Sequence, residues 1–148
     1  MIRVDLITPD GSTFTGDVDS ISLPTPDGEI TVLPHHIPLI TIVIPGTVMI
    51  RQGKEEQILA VSQGVIEVDG KTIRVLTDTA DRAEELQEVA VEAAKSRAET
   101  LVAERRHDVE GFAEATALME RELARLQTIR RHRARGQRKS VNNQISQI

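Results

Sequence analysis

The 148-residue sequence predicts a β + α fold: an N-terminal all-β sandwich of short antiparallel strands, followed by a C-terminal antiparallel two-helix hairpin. Three observations carry that prediction. Apolar residues recur with period two from the start, at Ile2, Val4 and Leu6, the repeat of a strand with one buried face. Turn-forming clusters interrupt the first half every few residues, with no helical stretch between them. From about Asp81 the repeat changes to three and four, Pro disappears and only Gly111 and Gly136 remain among the glycines.

The elements follow in order. Pro9-Asp10-Gly11-Ser12 turns the chain after the first strand, because Pro presets φ and Gly tolerates positive φ. Short runs then appear at Thr13–Thr15, Val18–Leu23, Glu29–Leu33, Leu39–Ile44, Thr47–Arg51, Gln57–Ser62, Val65–Val68 and Lys71–Thr77. Asp69-Gly70 between alternating runs predicts a tight two-residue hairpin. With so few aromatics, the sandwich core has to be packed from Ile, Val and Leu.

A stripe of mostly small residues, Leu86, Val89, Ala90, Ala93, Ala94, Arg97 and Leu101, marks the first helix. Val109, Phe112, Ala115, Thr116, Met119, Leu123, Leu126 and Ile129 mark the second, with Asp108 placed to cap it. The short connection at Arg105-Arg106-His107-Asp108 makes the pair an antiparallel hairpin. An alanine-rich seam buries little area per residue, so docking is expected to be marginal and the hairpin is a candidate for movement. The predicted organisation is a sandwich over 1–84, a hairpin over 85–135 and a disordered tail over 136–148.

Composition removes several functions. There is no Cys, which excludes disulfides, iron–sulfur clusters, thiolate zinc sites and a cysteine nucleophile. Trp and Tyr are absent and Phe14 and Phe112 are the only aromatics, so base stacking on an aromatic platform is not available. His35-His36 lacks the further ligands that zinc needs, His107 and His132 being in the helical half; no metal and no cofactor are expected. No nucleophile elbow, P-loop or dinucleotide fingerprint occurs, and no catalytic centre is read. The N-terminus alternates rather than forming a signal peptide, and Ile37–Ile50 is broken by Pro38, Pro45 and Gly46, so a cytoplasmic-type protein is expected.

Charge is unevenly spread. Residues 1–84 hold 13 acids and 6 bases, whereas residues 85–148 hold 10 acids and 12 bases. From Arg121 onward eight bases face the single acid Glu122. This reads either as a solvated helix face with a frayed tail, or as an arginine-rich surface for acidic partners.

Gly28-Glu29-Ile30-Thr31-Val32-Leu33-Pro34-His35-His36-Ile37-Pro38-Leu39 resembles the signature G-E-[IL]-[TG]-[IV]-x-P-G-H-x-P-L of the epsilon subunits of F-type ATP synthases, with His35 in place of the usual Gly. Val61-Ser62-Gln63-Gly64-Val65-Ile66-Glu67-Val68 is similar to that family's V-S-G-G-[FIV]-[VL]-E-V, with Gln63 replacing the first Gly, and Val75 to Glu84 resembles the sheet-to-helix boundary. The resemblance runs in order over roughly residues 1–132.

The resemblance implies a non-catalytic rotor subunit whose sandwich clamps the gamma subunit to the ring of c subunits, with Glu29, His36 and Pro38 as interface candidates. It also implies a regulatory hairpin that permits catalysis when packed down and restrains ATP hydrolysis when extended into the catalytic hexamer. There Arg121 and Arg125, one helical turn apart and without acidic neighbours to hold them, are candidates to meet the acidic segment of the beta subunits. The implied location is the cytoplasmic face of the bacterial plasma membrane, peripheral, through the complex. Some relatives bind ATP through [IL]-D-x-x-R-A; here Gln87 replaces the acid, Ala90 the arginine and Val91 the small residue, so no ATP site is expected. The competing reading is an adaptor that binds nucleic acid or acidic protein through its arginine-rich C-terminal helix.

Overall fold

The computed structural model describes residues 1–147, and Ile148, the end of the tail expected to be disordered, lies outside the described residues. Two five-stranded sheets face one another. One has the order β2-β1-β9-β8-β5, built from Gly11–Val18, Ile2–Thr8, Thr72–Thr77, Gly64–Val68 and Leu39–Val43. The other has the order β10-β7-β6-β3-β4, built from Ala80–Arg82, Glu55–Val61, Gly46–Gln52, Ser20–Thr25 and Gly28–Val32. Two helices follow, α1 (Glu88–Glu104) and α2 (Val109–Ile145).

Alternation produces the layers. On β1, Ile2, Val4 and Leu6 point inward, and on β9 Ile73 and Val75 do the same. Seventeen buried side chains join in one cluster; sixteen are Ile, Val or Leu, and Phe14 is the exception. All the expected strand runs are present, and β10 is an addition. Pairing is antiparallel throughout except for one pair: β1 runs parallel to β9, with Val4 opposite Ile73 and Leu6 opposite Val75. The parallel pair joins the β1–β2 hairpin to the rest of the sheet by placing the first strand beside one that follows it by some 65 residues.

Glycine decides one close approach of the backbone and one turn. A Cβ on Gly64 would lie 2.0 Å from the Leu76 carbonyl oxygen, so β8 approaches β9 only without a side chain there. The β8–β9 hairpin is tight as expected, but its central pair is Gly70-Lys71: Asp69 N–H donates to the Thr72 carbonyl at 3.1 Å, and Gly70 takes φ +94°.

α2 lies on the outer face of the β10-β7-β6-β3-β4 sheet, giving three layers. Thr47 on β6 and Ile58 and Ala60 on β7 point away from the sandwich core yet are buried beneath it. The contacting stripes differ from those read in the sequence. α1 buries Val91 and Ala98, with Ala94 and Leu101 half-buried on the same side, while Val89 and Ala90 are exposed. α2 buries Gly111, Ala115, Glu122, Ala124, Leu126, Thr128 and Ile129 and leaves Val109, Phe112 and Leu123 exposed. Alanine suits a helix seam and a helix surface alike, so an Ala-rich pattern does not fix the rotation of the helix.

α2 also continues through Ile145, where the sequence predicts disorder from residue 136. A single exposed Gly136 in an arginine-rich helix costs about 1 kcal/mol relative to Ala, and no Pro follows to stop propagation.

Candidate functional site

The outer face of the β2-β1-β9-β8-β5 sheet carries no covering element among the described residues. Register sets what it displays. Ile42 lies opposite Val65, Val65 opposite Leu76, and Leu76 opposite Ile7, so four adjacent strands present one apolar row. Ile42, Val65 and Leu76 keep 57%, 44% and 48% of their surface exposed. At about 4.8 Å between strands the row is roughly 14 Å long. The next row begins with the exposed Ile40 and is otherwise charged: Ile40 opposite Glu67, Glu67 opposite Arg74, Arg74 opposite Asp5. Contiguous exposed apolar surface rimmed by charge marks a partner interface. The sequence held a signal for it in Leu39–Ile44, apolar except for Thr41, which is close to the pattern of a strand covered on both faces.

His36 and Pro38 share the β4–β5 loop beside this sheet. Pro34 and His35 are its central turn residues: His36 N–H donates to the Leu33 carbonyl at 3.2 Å, and His35 sits at φ +67°. Pro followed by a residue with positive φ is the arrangement of a type II turn, which prefers glycine at the second place. The family signature's Gly and this chain's His therefore compete for one left-handed position, and His35 carries the strain. His36 Nδ1 lies 2.7 Å from the Ile37 carbonyl oxygen and donates to it.

Glu29 is placed elsewhere. It sits on β4 and receives Arg131 Nη1 of α2 at 3.0 Å, so in this arrangement it ties the sandwich to the hairpin. Arg135 pairs with Glu56 on β7, and Arg133 with Glu88 in the first turn of α1.

Arg121 and Arg125 overturn the expectation that they lack acidic neighbours. Both flank Glu122, which is 2% exposed; its Oε1 accepts Arg121 Nε at 3.2 Å and Arg125 Nη1 at 2.9 Å. Arg125 also holds Asp81 on β10 through Nε at 3.1 Å and Nη2 at 2.9 Å. The packing that brings these groups together is local in one case and distant in the other: Glu122 is on the same helix, whereas Asp81 is reached only when α2 docks. Beneath them Thr47 and Thr128 hydroxyls meet at 2.8 Å, buried.

Gln87, Ala90 and Val91 line a shallow depression with Asp81, Glu85, Glu122 and Arg125. Its one base already serves two carboxylates, and Val91 packs on Leu126 and Ile129 in the hairpin's small core. His35 and His36 join no cluster of three His, Asp or Glu groups among the described residues.

The ATP synthase delta/epsilon chain β-sandwich domain family matches residues 1–83. The ATP synthase epsilon chain of Hydrogenovibrio crunogenus is 37% identical over 134 residues, 90% of this chain and 92% of its own. The chain belongs to the ATP synthase epsilon family. The epsilon chain of Alkalilimnicola ehrlichii is 36% identical over 93% of this chain and 98% of its own. Among solved structures, one of the Euglena gracilis mitochondrial ATP synthase contains a chain that shares the fold, with a TM-score of 0.69 and 20% identity over 80% of this chain and 75% of that one. Membership makes this chain a non-catalytic component of the central stalk. No helix among the described residues is long and apolar enough to cross a membrane.

Proposed function

We propose that this epsilon-family member is a rotor clamp with a conditional brake. The row Ile42–Val65–Leu76–Ile7 seats the gamma subunit, and the loop carrying His36 and Pro38 turns toward the c-subunit ring. Rotation of the ring then passes through the sandwich to gamma and drives ATP synthesis in the catalytic hexamer. The observation that carries this reading is the apolar row left bare while the chain's own hairpin covers the opposite sheet. Glu29 joins the rotor interface only when Arg131 leaves it, which couples that contact to the hairpin's position. The protein is thereby peripheral at the cytoplasmic face of the bacterial plasma membrane.

The hairpin is the brake. Docked, as described above, it holds Arg121 and Arg125 on Glu122 and Asp81; extended along gamma, it frees both for the acidic segment of the beta subunits. The two arrangements exchange one set of ion pairs for another, which keeps them within a few kcal/mol. ATP does not bias the exchange through the depression at Gln87, Ala90 and Val91, because Asp81, Glu85 and Glu122 repel phosphate there and no free base offsets them. The adaptor reading loses ground on the same count: of the eight bases from Arg121 onward, Arg121, Arg125, Arg131, Arg133 and Arg135 pair with the chain's own acids.

The chain has no cysteine, so the pair Thr47→Cys and Thr128→Cys tests the proposal cleanly. ATP hydrolysis by the cognate epsilon-depleted catalytic sector is titrated with the double variant, reduced and oxidised. Both forms are expected to bind, and only the reduced form to inhibit saturably. Failure of either form to bind the gamma-containing complex overturns the clamp; equal inhibition by both overturns the brake.

A further inference from the structure

We infer that the docked hairpin and the sandwich together form a groove for a basic amphipathic helix of the same stalk partner. The inference rests on the clamp reading above and extends it beyond the sheet face. The groove lies between α2 and the β5–β6 corner. Its apolar floor comes from both domains: Ile44 and Pro45 on the sandwich side, Leu118 and Leu123 on the α2 side. Ile44 and Leu123 remain 38% and 36% exposed and lie side by side along it. Ile42 lines the groove as well as the apolar row, so the two surfaces are continuous.

The rim chooses the partner's chemistry. Asp78, Glu114 and Glu120 stand along it. Glu114 faces Arg105 at a loose 3.6 Å, and Asp78 is approached by the Gln63 amide at 3.5 Å. The base on this rim, Arg121, is already engaged by Glu122 at 3.2 Å. An apolar floor under an acidic rim fits a helix with an apolar face flanked by Lys or Arg. The α2 segment 114–127 rises about 20 Å, enough to flank three to four turns of a partner helix.

Half of the groove is α2, so it exists only while the hairpin is docked. A partner helix seated there binds the docked arrangement selectively and holds the brake down. The partner thus reads the hairpin's position as well as the sandwich.

The test compares full-length wild type with Ile42→Asp, Leu123→Asp and Glu120→Lys for affinity to the cognate gamma-containing rotor complex. Leu123→Asp and Glu120→Lys are each expected to weaken binding about tenfold, and Glu120→Lys to flatten its dependence on salt. Glu120 is exposed, so its variant folds. A Glu120→Cys chain carrying a short thiol-reactive cross-linker is expected to give an adduct with gamma. Wild-type affinity for both groove variants, with Ile42→Asp binding lost, overturns the groove and leaves the clamp standing. Wild-type affinity for all three variants overturns both. Self-association of the free chain that Leu123→Asp abolishes, without an adduct to gamma, reassigns the groove to a second copy and overturns it too.

Discussion

The sandwich closes around seventeen buried side chains, whereas the hairpin's own core has three, Val91, Leu126 and Ile129, with Leu86 packed against them. What the hairpin lacks in apolar area it replaces with charge. Arg125, Arg131 and Arg135 reach Asp81, Glu29 and Glu56 on three different strands of one sheet. Apolar burial is non-directional and is not weakened by charge screening, while ion pairs are exchangeable and screened. A domain that must stay folded through every rotation is built the first way. A domain that leaves its seat, as the proposed brake does, is served by the second.

The difference breaks most visibly in the sandwich core. Ile73 is fully buried between the sheets, and Ile73→Ala is expected to cost about 2–5 kcal/mol of global stability in urea unfolding. Val91→Ala, in the hairpin, removes two methyl groups and should cost about 1.5 kcal/mol at most, confined to the hairpin. A loss of similar size and extent from both would show one cooperative unit instead of two.

Arg125→Ala comes next. Breaking a buried ion pair costs about 3–5 kcal/mol, but Arg125 keeps 20% of its side chain in solvent and Asp81 33%, so about 2–3 kcal/mol is the expected loss, confined to docking. Hydrogen exchange should rise in Thr47, Ile58 and Ala60, the strand residues that α2 covers, with β1 and β9 unchanged. Exchange that rises equally in β1 would make Arg125 a general stabiliser.

Salt separates the domains without disturbing either core. The pairs that Arg131 and Arg135 make with the sandwich are partly exposed, each worth about 0.2–1 kcal/mol, and a Debye length of about 3 Å at 1 M salt screens them. In the double variant Thr47→Cys, Thr128→Cys, disulfide formation between the two introduced thiols should slow as salt rises, while the sandwich melts at an unchanged temperature. A rate independent of salt would mean that apolar contact, not charge, seats the hairpin.

How much of this was legible depends on the range of each interaction. Strand runs and turns are local, and Ile2, Val4 and Leu6 announce a buried face within five residues. β10 escaped because Ala80-Asp81-Arg82 is too short to show a period. The parallel β1–β9 pair and the Asp81–Arg125 bond were invisible because nothing local records a partner dozens of residues away. Glu122 was different: it lies between Arg121 and Arg125 in plain sequence, one and three positions from them, and its burial decides its role. The apolar row was written in Leu39–Ile44, but only the register of β5, β8, β9 and β1 turns scattered apolar residues into a surface.

Two smaller effects lie wholly in the sandwich and sharpen its side of the comparison. His35→Gly relieves a left-handed residue at φ +67° and should stabilise the sandwich by about 0.5–1 kcal/mol, the relief being partly offset by the added freedom of glycine in the unfolded chain. A neutral or destabilising result would mean that the imidazole makes a compensating contact.

The smallest effect is at Asp69. Backbone N–H groups of Lys71 and Thr72 donate to its Oδ1 at 2.9 and 2.7 Å and hold its carboxyl below the ordinary aspartate value, with Arg74 and Lys71 adding to them. A lowered folded pKa stabilises the fold only while the carboxylate is charged. The contribution is therefore complete above about pH 4, near the unfolded aspartate pKa, and is lost as pH falls below it through the folded value. The bare pH profile reflects the whole chain, so a variant that changes only this turn isolates its share. Asp69→Asn keeps the acceptor oxygen and removes the charge. The variant's sandwich should melt at a temperature slightly lower than wild type at pH 7 and converge with it near pH 2, while the hairpin's exchange follows one acid profile in both chains. Convergence of the hairpin profiles but not of the melting temperatures would place the acid sensitivity of the sandwich somewhere other than this turn.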